Sequence, residues 1–201
     1  SSFDEYTSTK SSLDPLKVGT VKRAYPFTAS NNKIDVAIFA LDTTVSNLFS
    51  TTESWKPYGL ARQHIDGGMD FATDSEIWTL MGDNEGAPCF KSGRTYGPLG
   101  WPGSYPYGST VCSLSVYSVT SSTTVTYGGN LASGIGFIDQ IRLRGDNTDA
   151  SAGGDSGSFW CALFNEGNAA LSAWKIIGLH FAGSGDTAVA NKITNVAEMF
   201  N

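Results

Sequence analysis

Ser156 sits in the hexapeptide Gly153-Gly154-Asp155-Ser156-Gly157-Ser158, a setting in which a serine hydroxyl can act as a nucleophile. A free hydroxyl attacks carbonyls poorly. It needs a base to take its proton and backbone N–H groups to hold the oxyanion that forms. Glycines around it permit a sharp turn that exposes those N–H groups. The chain has two histidines, His64 and His180. It also has an aspartate, Asp35, ahead of the apolar run Val36-Ala37-Ile38-Phe39-Ala40-Leu41. Acyl transfer through a serine is the chemistry these residues suggest. The plainer alternative is an ordinary serine on a Gly-rich turn, with Asp35 a turn residue.

Such residues need a scaffold. The patterns over residues 18–25 and 34–41 predict strands, separated by the turn-forming Ala29-Ser30-Asn31-Asn32. Further strands are predicted over residues 87–92, 110–119, 123–127, 136–144, 159–164, 173–181 and 187–191. Gly, Pro, Asn and Ser clusters punctuate them, as in barrels and sandwiches. Residues 43–75 read as a long connection with a short helix near 45–49. Residues 97–108 read as an ordered surface loop. Apolar residues at 193, 196, 197 and 200 have helical spacing and predict a terminal helix. Residues 1–15 are polar and aperiodic, as in an exposed arm.

Composition narrows the function classes. A chain of 201 residues can bury a full core in one domain or two small barrels. The net charge of −6 argues against a nucleic-acid partner, since phosphate binding needs clustered Lys and Arg. No apolar run is long enough for a membrane span. Nothing in the pattern calls for a metal or a cofactor. Ser1 is not a translation start, so processing, design or trimming made this N-terminus.

The hexapeptide resembles the GDSGGP nucleophile loop of the chymotrypsin-type serine peptidases. Downstream, Ile176-Ile177-Gly178-Leu179-His180-Phe181-Ala182-Gly183-Ser184 resembles the strand lining their primary specificity pocket. Ile34-Asp35-Val36-Ala37-Ile38 resembles the DIAL segment that carries the triad aspartate. Ser92-Gly93-Arg94-Thr95 resembles a glycine-containing turn near the start of the second barrel. Together with the segment over residues 137–141, the set looks most like bacterial and phage trypsin-like proteins, over roughly residues 18–201. The resemblance implies an all-β, chymotrypsin-like double β-barrel with a complete second barrel, a partial first barrel and a C-terminal helix. Residues 1–17 would be a polar arm, 18–75 a remnant of the first barrel with its connection, and 76–201 the second barrel.

The resemblance also implies roles. Ser156 would attack the scissile carbonyl, and Asp35 would orient a base histidine. The N–H groups of Gly154 and Ser156 would form the oxyanion hole, and Asp155 would hold the loop. Phe181, Ala182 and Gly183 would pair with an extended peptide substrate. His180, with Ser151 as a second donor, would read a Glu or Gln side chain before the cut; the alternative is a core histidine satisfied by a neighbour. Many relatives bridge two cysteines near the positions of Cys89 and Cys161, the second usually one residue further on. That makes Cys89–Cys161 a candidate disulfide in an oxidising compartment, the alternative being three buried thiols. A secreted or virion-associated setting is favoured.

One part is missing. In the chymotrypsin arrangement the base histidine precedes the aspartate, yet no histidine precedes Asp35 here. The order Asp35, His64, Ser156 belongs to the subtilisin arrangement, whose serine motif differs. His64 therefore reads as a loop histidine. Two accounts follow. In one, the N-terminal fragment of the same precursor supplies the base and the missing strands of a processed endopeptidase. In the other, a protease fold without catalysis serves as a structural or binding protein, for example on a virion. A carbohydrate- or receptor-binding β domain using the aromatics near residues 101–107 is a third. Activation by burying a new apolar N-terminus beside Asp155 does not fit the polar Ser1.

Overall fold

Alternating apolar and polar residues build the strand β8 (Ile135–Gly145), where Ile135, Phe137, Ile141 and Leu143 are buried while Arg144 is exposed. That period of two recurs along the chain and gives a fold that is mostly strand. The computed structural model describes residues 2–5, 16–41, 70–82, 87–93, 95, 97–99, 114–127, 134–145, 149–164 and 173–199. The chain divides into two units. Ser1–Phe27 with Asp35–Glu53 forms one, and Thr28–Ile34 with Ser54–Asn201 forms the other.

The first unit carries an antiparallel sheet in the order β1 (Ser2–Glu5), β2 (Leu16–Ala24), β3 (Ala37–Leu41). Sequence reading found β2 and β3 but took residues 1–15 for an arm. Strand β1 lies within that stretch and pairs through its backbone with β2. Polar, aperiodic residues give no warning of a strand whose register another strand sets.

In the second unit, one path of paired strands holds β6 (Gly97–Leu99), β5 (Cys89–Gly93), β9 (Phe159–Phe164), β10 (Ala173–Ser184), β11 (Thr187–Lys192), β8 and β7 (Leu114–Val125), in that order. The short β4 (Asp70–Phe71) adds to β10 in parallel. The predicted strands over 110–119 and 123–127 are one continuous β7. Its hydroxyl-rich middle carries register shifts against β8 instead of a turn. Residues 28–34 lie along β8: the Asn32 side chain donates to the Gly136 carbonyl at 2.9 Å, and the Ile138 N–H donates to the Asn32 carbonyl at 2.9 Å.

Two short helices complete the described structure. The predicted terminal helix is α2 (Ile193–Glu198), which packs on β10 and β11. Asp139 adopts a positive φ of 58° within β8, and its carboxylate takes Lys192 Nζ at 2.7 Å and Asn195 Nδ2 at 3.0 Å, tying β8 to the start of α2. Helix α1 (Asp74–Thr79) was not expected. Its signal is a capping box: Thr73 accepts from the Glu76 N–H while the Glu76 carboxylate accepts from the Thr73 N–H. The expected helix near residues 45–49 and most of the loop over 97–108 lie outside the described residues.

Candidate active site

The turn bearing Ser156 connects residue 151 to β9, and a buried carboxylate holds it. Asp155 points inward and is 1% exposed, whereas Gly153, Gly154, Ser156 and Gly157 are all exposed. One oxygen of Asp155 takes Lys91 Nζ at 2.7 Å and the Ala152 N–H at 3.2 Å; the other takes the Thr95 N–H at 2.8 Å. Thr95 Oγ1 donates to the Gly153 carbonyl at 2.6 Å, and Ser158 Oγ to the Asp155 carbonyl at 2.7 Å. Gly93 lines this arrangement from β5. A Cβ there would lie 2.6 Å from the Asp155 carboxyl carbon, so only glycine lets the carboxylate approach.

Electrostatics fix the clamp. Burial alone would raise the Asp155 carboxyl. The hydrogen bond from Lys91, the Thr95 N–H, the Lys91 charge and the Ala152 N–H outweigh it and hold the group below its ordinary value. Burial pushes the Lys91 ammonium down, and Asp155 opposes that shift. Lys91 Nζ also lies 5.4 Å from the centre of the Trp160 ring, a cation–π distance. Sequence reading missed Lys91. A single lysine in a strand pattern carries no local mark of burial; its role arises from β5 lying beside β9.

The other face of the turn is exposed to solvent. Gly154 and Gly157 have φ of 98° and 91°, in the region that favours glycine. The Asp155 N–H donates inward to the Ala152 carbonyl. By contrast, no hydrogen bond among the described residues uses the N–H of Gly154 or of Ser156. These two donors flank the Asp155 N–H, which is already bonded to the Ala152 carbonyl. Ser156 Oγ contacts the Phe181 carbonyl at 3.4 Å, longer than an ordinary O–H···O bond of about 2.5–3.0 Å. Its proton is thus weakly engaged.

Behind the turn, β10 changes register between His180 and Ala182. The His180 N–H donates to the Ser158 carbonyl at 2.8 Å, and the Gly157 N–H to the His180 carbonyl at 2.9 Å, so the turn is laced to β10. From Ala182 to Ser184 the strand pairs with β11 on one side, while its pairing with β9 ends at Leu179. Phe181 itself is buried and packs on Phe137, with ring centres 4.9 Å apart.

The His180 ring is buried and takes the Trp160 indole N–H on Nδ1 at 3.4 Å. A neutral imidazole accepting at Nδ1 carries its proton on Nε2. Burial first, then the Lys91 charge, hold its pKa down to about 4, with Asp155 partly opposing. Ser151 is buried, and its hydroxyl donates to the Thr187 carbonyl at 3.1 Å.

Asp35 is half-buried two residues before β3 and belongs to the first unit, whereas Ser156, Ser151 and His180 belong to the second. His64 lies outside the described residues. Cys89 and Cys161 are buried free thiols. Strand register explains why they do not bridge: Cys89 faces Ala162, and Cys161 faces Phe90, so the two sulfurs project to opposite faces of the sheet. Burial raises both thiols, Cys89 to about 12. Among the described residues no group of three His, Cys, Asp or Glu side chains is placed to hold a metal ion, and no helix is long and apolar enough to cross a membrane. No protein-family model, no curated protein and no solved structure matches this chain.

Proposed function

We propose that this chain is the nucleophile-bearing part of a chymotrypsin-like serine endopeptidase. The observation that carries the reading is the exposed residue Ser156 beside the N–H groups of Gly154 and Ser156, which no hydrogen bond among the described residues uses, on a turn held by the buried Asp155–Lys91 pair. In a hydrolytic cycle Ser156 Oγ attacks the substrate carbonyl, the two N–H groups hold the oxyanion, and an acyl-enzyme forms and is then hydrolysed by water. The open side of β10 beyond Leu179 supports docking of an extended peptide as an added strand along Phe181, Ala182 and Gly183.

A double-barrel fold is part of the proposal. Strand β5 also contacts β7, at the far end of the path of paired strands, as a curling sheet brings about. Cys89 stands opposite Ala162, the position where the resembled family places its second cysteine. The base is proposed to come from a second polypeptide, the N-terminal fragment of the same precursor. His180 already accepts from Trp160 and lies under the turn, which removes it as the base. Its remaining donor, Nε2–H, suits a Glu or Gln side chain at the primary pocket.

A second reading, a protease fold kept as a binding or structural protein, is favoured by one observation: Ser156 Oγ has a backbone carbonyl as its partner and not an imidazole. Fluorophosphonate labelling separates the two. Slow modification confined to Ser156, accelerated by added imidazole and absent in Ser156→Ala, supports the peptidase reading. Labelling that ignores imidazole, or that falls on other residues, favours the binding protein.

A further inference from the structure

Elsewhere in the second unit, Arg142 has a side-chain donor without a partner among the described residues. Arg142 projects from β8 and lines two adjoining clefts, of about 360 and about 270 Å³. Its Nε is buried and has no hydrogen-bond partner among the described residues. Arg144, two residues on, is satisfied by Asp186 at 3.3 Å. No carboxylate among the described residues serves Arg142 in that way. A buried donor left unpaired carries a penalty that a hydrogen-bond acceptor would relieve.

The lining says what kind of group would accept. The larger cleft is walled by Ser30, Asn31, Thr123 and Thr124, whose side chains have no partner among the described residues. Hydroxyls and amides can each donate and accept, which suits a ligand that is itself rich in hydroxyls. Asn31 is held at a positive φ of 61°, a conformation asparagine tolerates better than most residues. The smaller cleft adds Tyr117, 59% exposed, an aromatic face on which an apolar sugar face can lie. One guanidinium for a carboxylate, a wall of hydroxyls and an exposed aromatic ring form a consistent set.

The geometry points to a binding site for an acidic saccharide, with a uronate carboxylate on Arg142 and the sugar hydroxyls on Asn31, Thr123 and Thr124. The site does not use Ser156 and stands whether or not the chain cleaves peptides. It would attach the protein to an acidic polysaccharide surface.

The test is an NMR titration of the 15N-labelled chain with sodium glucuronate, glucose and sodium phosphate in parallel. Glucuronate should shift the Arg142 Nε–H resonance and the amides of Asn31 and Thr123 along one saturable curve. Glucose and phosphate should each bind at least about tenfold more weakly, the loss expected when the charge-assisted bond or the hydroxyl contacts are missing. Arg142→Gln should weaken glucuronate by about tenfold or more. Asn31→Gly keeps the positive φ while removing the amide, so it tests the site even if the arginine variant does not fold; it should weaken glucuronate severalfold. Absence of a saturable shift, phosphate binding as tight as glucuronate, or unchanged affinity in Asn31→Gly would each overturn the assignment.

Discussion

Lys91 Nζ lies 2.7 Å from Asp155 Oδ2, and both side chains are wholly excluded from solvent. The pair joins β5 to the residue before Ser156, so the strand that carries the lysine sets the shape of the turn. Taking two charges out of water is expensive, and a buried pair is weak support for stability as such. Its consequence is geometric: Asp155 cannot leave without abandoning Lys91 in the interior.

Breaking the pair from one side should be severe. Lys91→Met leaves a buried carboxylate without its cation and should lower unfolding free energy by about 3–5 kcal/mol. Adding Asp155→Asn to that variant should recover part of the loss. Urea denaturation of both single variants and the double variant measures this. Strictly additive losses would show that the two residues do not act as a pair.

Gly93 and Gly153 make a matched comparison. A Cβ at Gly93 meets the Asp155 carboxylate, whereas a Cβ at Gly153 meets nothing within 4 Å. Gly93→Ala should therefore destabilise by about 1–3 kcal/mol through overpacking, and slow labelling of Ser156, while Gly153→Ala should do neither. Equal effects of the two substitutions would mean that Asp155 is not held where the structure has it.

How far the sequence spoke can be judged residue by residue. Residues 159–164 and 173–181 announce themselves as strands by apolar content, and the terminal helix by its spacing; the second of these strands runs on to Ser184. Ser156 and its glycines were legible because the turn needs them locally. Lys91 was not, since its partner lies 64 residues away and only strand order brings them together. The trapped Trp160–His180 contact depends on register in the same way. Strand β1 was hidden because its pairing is set by β2 and not by its own pattern.

Strand register gives a covalent test. Cys89 faces Ala162 across the β5–β9 ladder, where antiparallel partners have Cα atoms about 4.5–5.5 Å apart, within disulfide range. Ala162→Cys should form a bridge with Cys89 under mild oxidation, seen by peptide mapping, while Cys161 stays a thiol. A bridge from Cys89 to Cys161 in the unaltered chain would contradict the register.

Stability should depend on pH through His180. Its pKa is about 4 in the folded chain against about 6.5 when unfolded, so below pH 6.5 the unfolded state binds a proton that the folded state does not. The contribution of the neutral ring is complete above about pH 6.5 and declines as pH falls to about 4, by up to roughly 1.4 kcal/mol per pH unit. Asp155, held below its ordinary value of 3.8, adds stability that is lost only at lower pH, so the two windows separate. The difference in unfolding free energy between the native chain and His180→Gln should grow from pH 4 to 6.5. A flat difference would mean that His180 titrates normally.

The central claim is that Ser156 is a nucleophile whose oxyanion is held by the N–H groups of Gly154 and Ser156. A crystal structure of the chain after fluorophosphonate modification tests it most directly. The account predicts phosphorus bonded to Ser156 Oγ, with one phosphoryl oxygen about 2.7–3.1 Å from both nitrogens. Phosphorus on another side chain, or a phosphoryl oxygen turned to solvent away from both N–H groups, would contradict it.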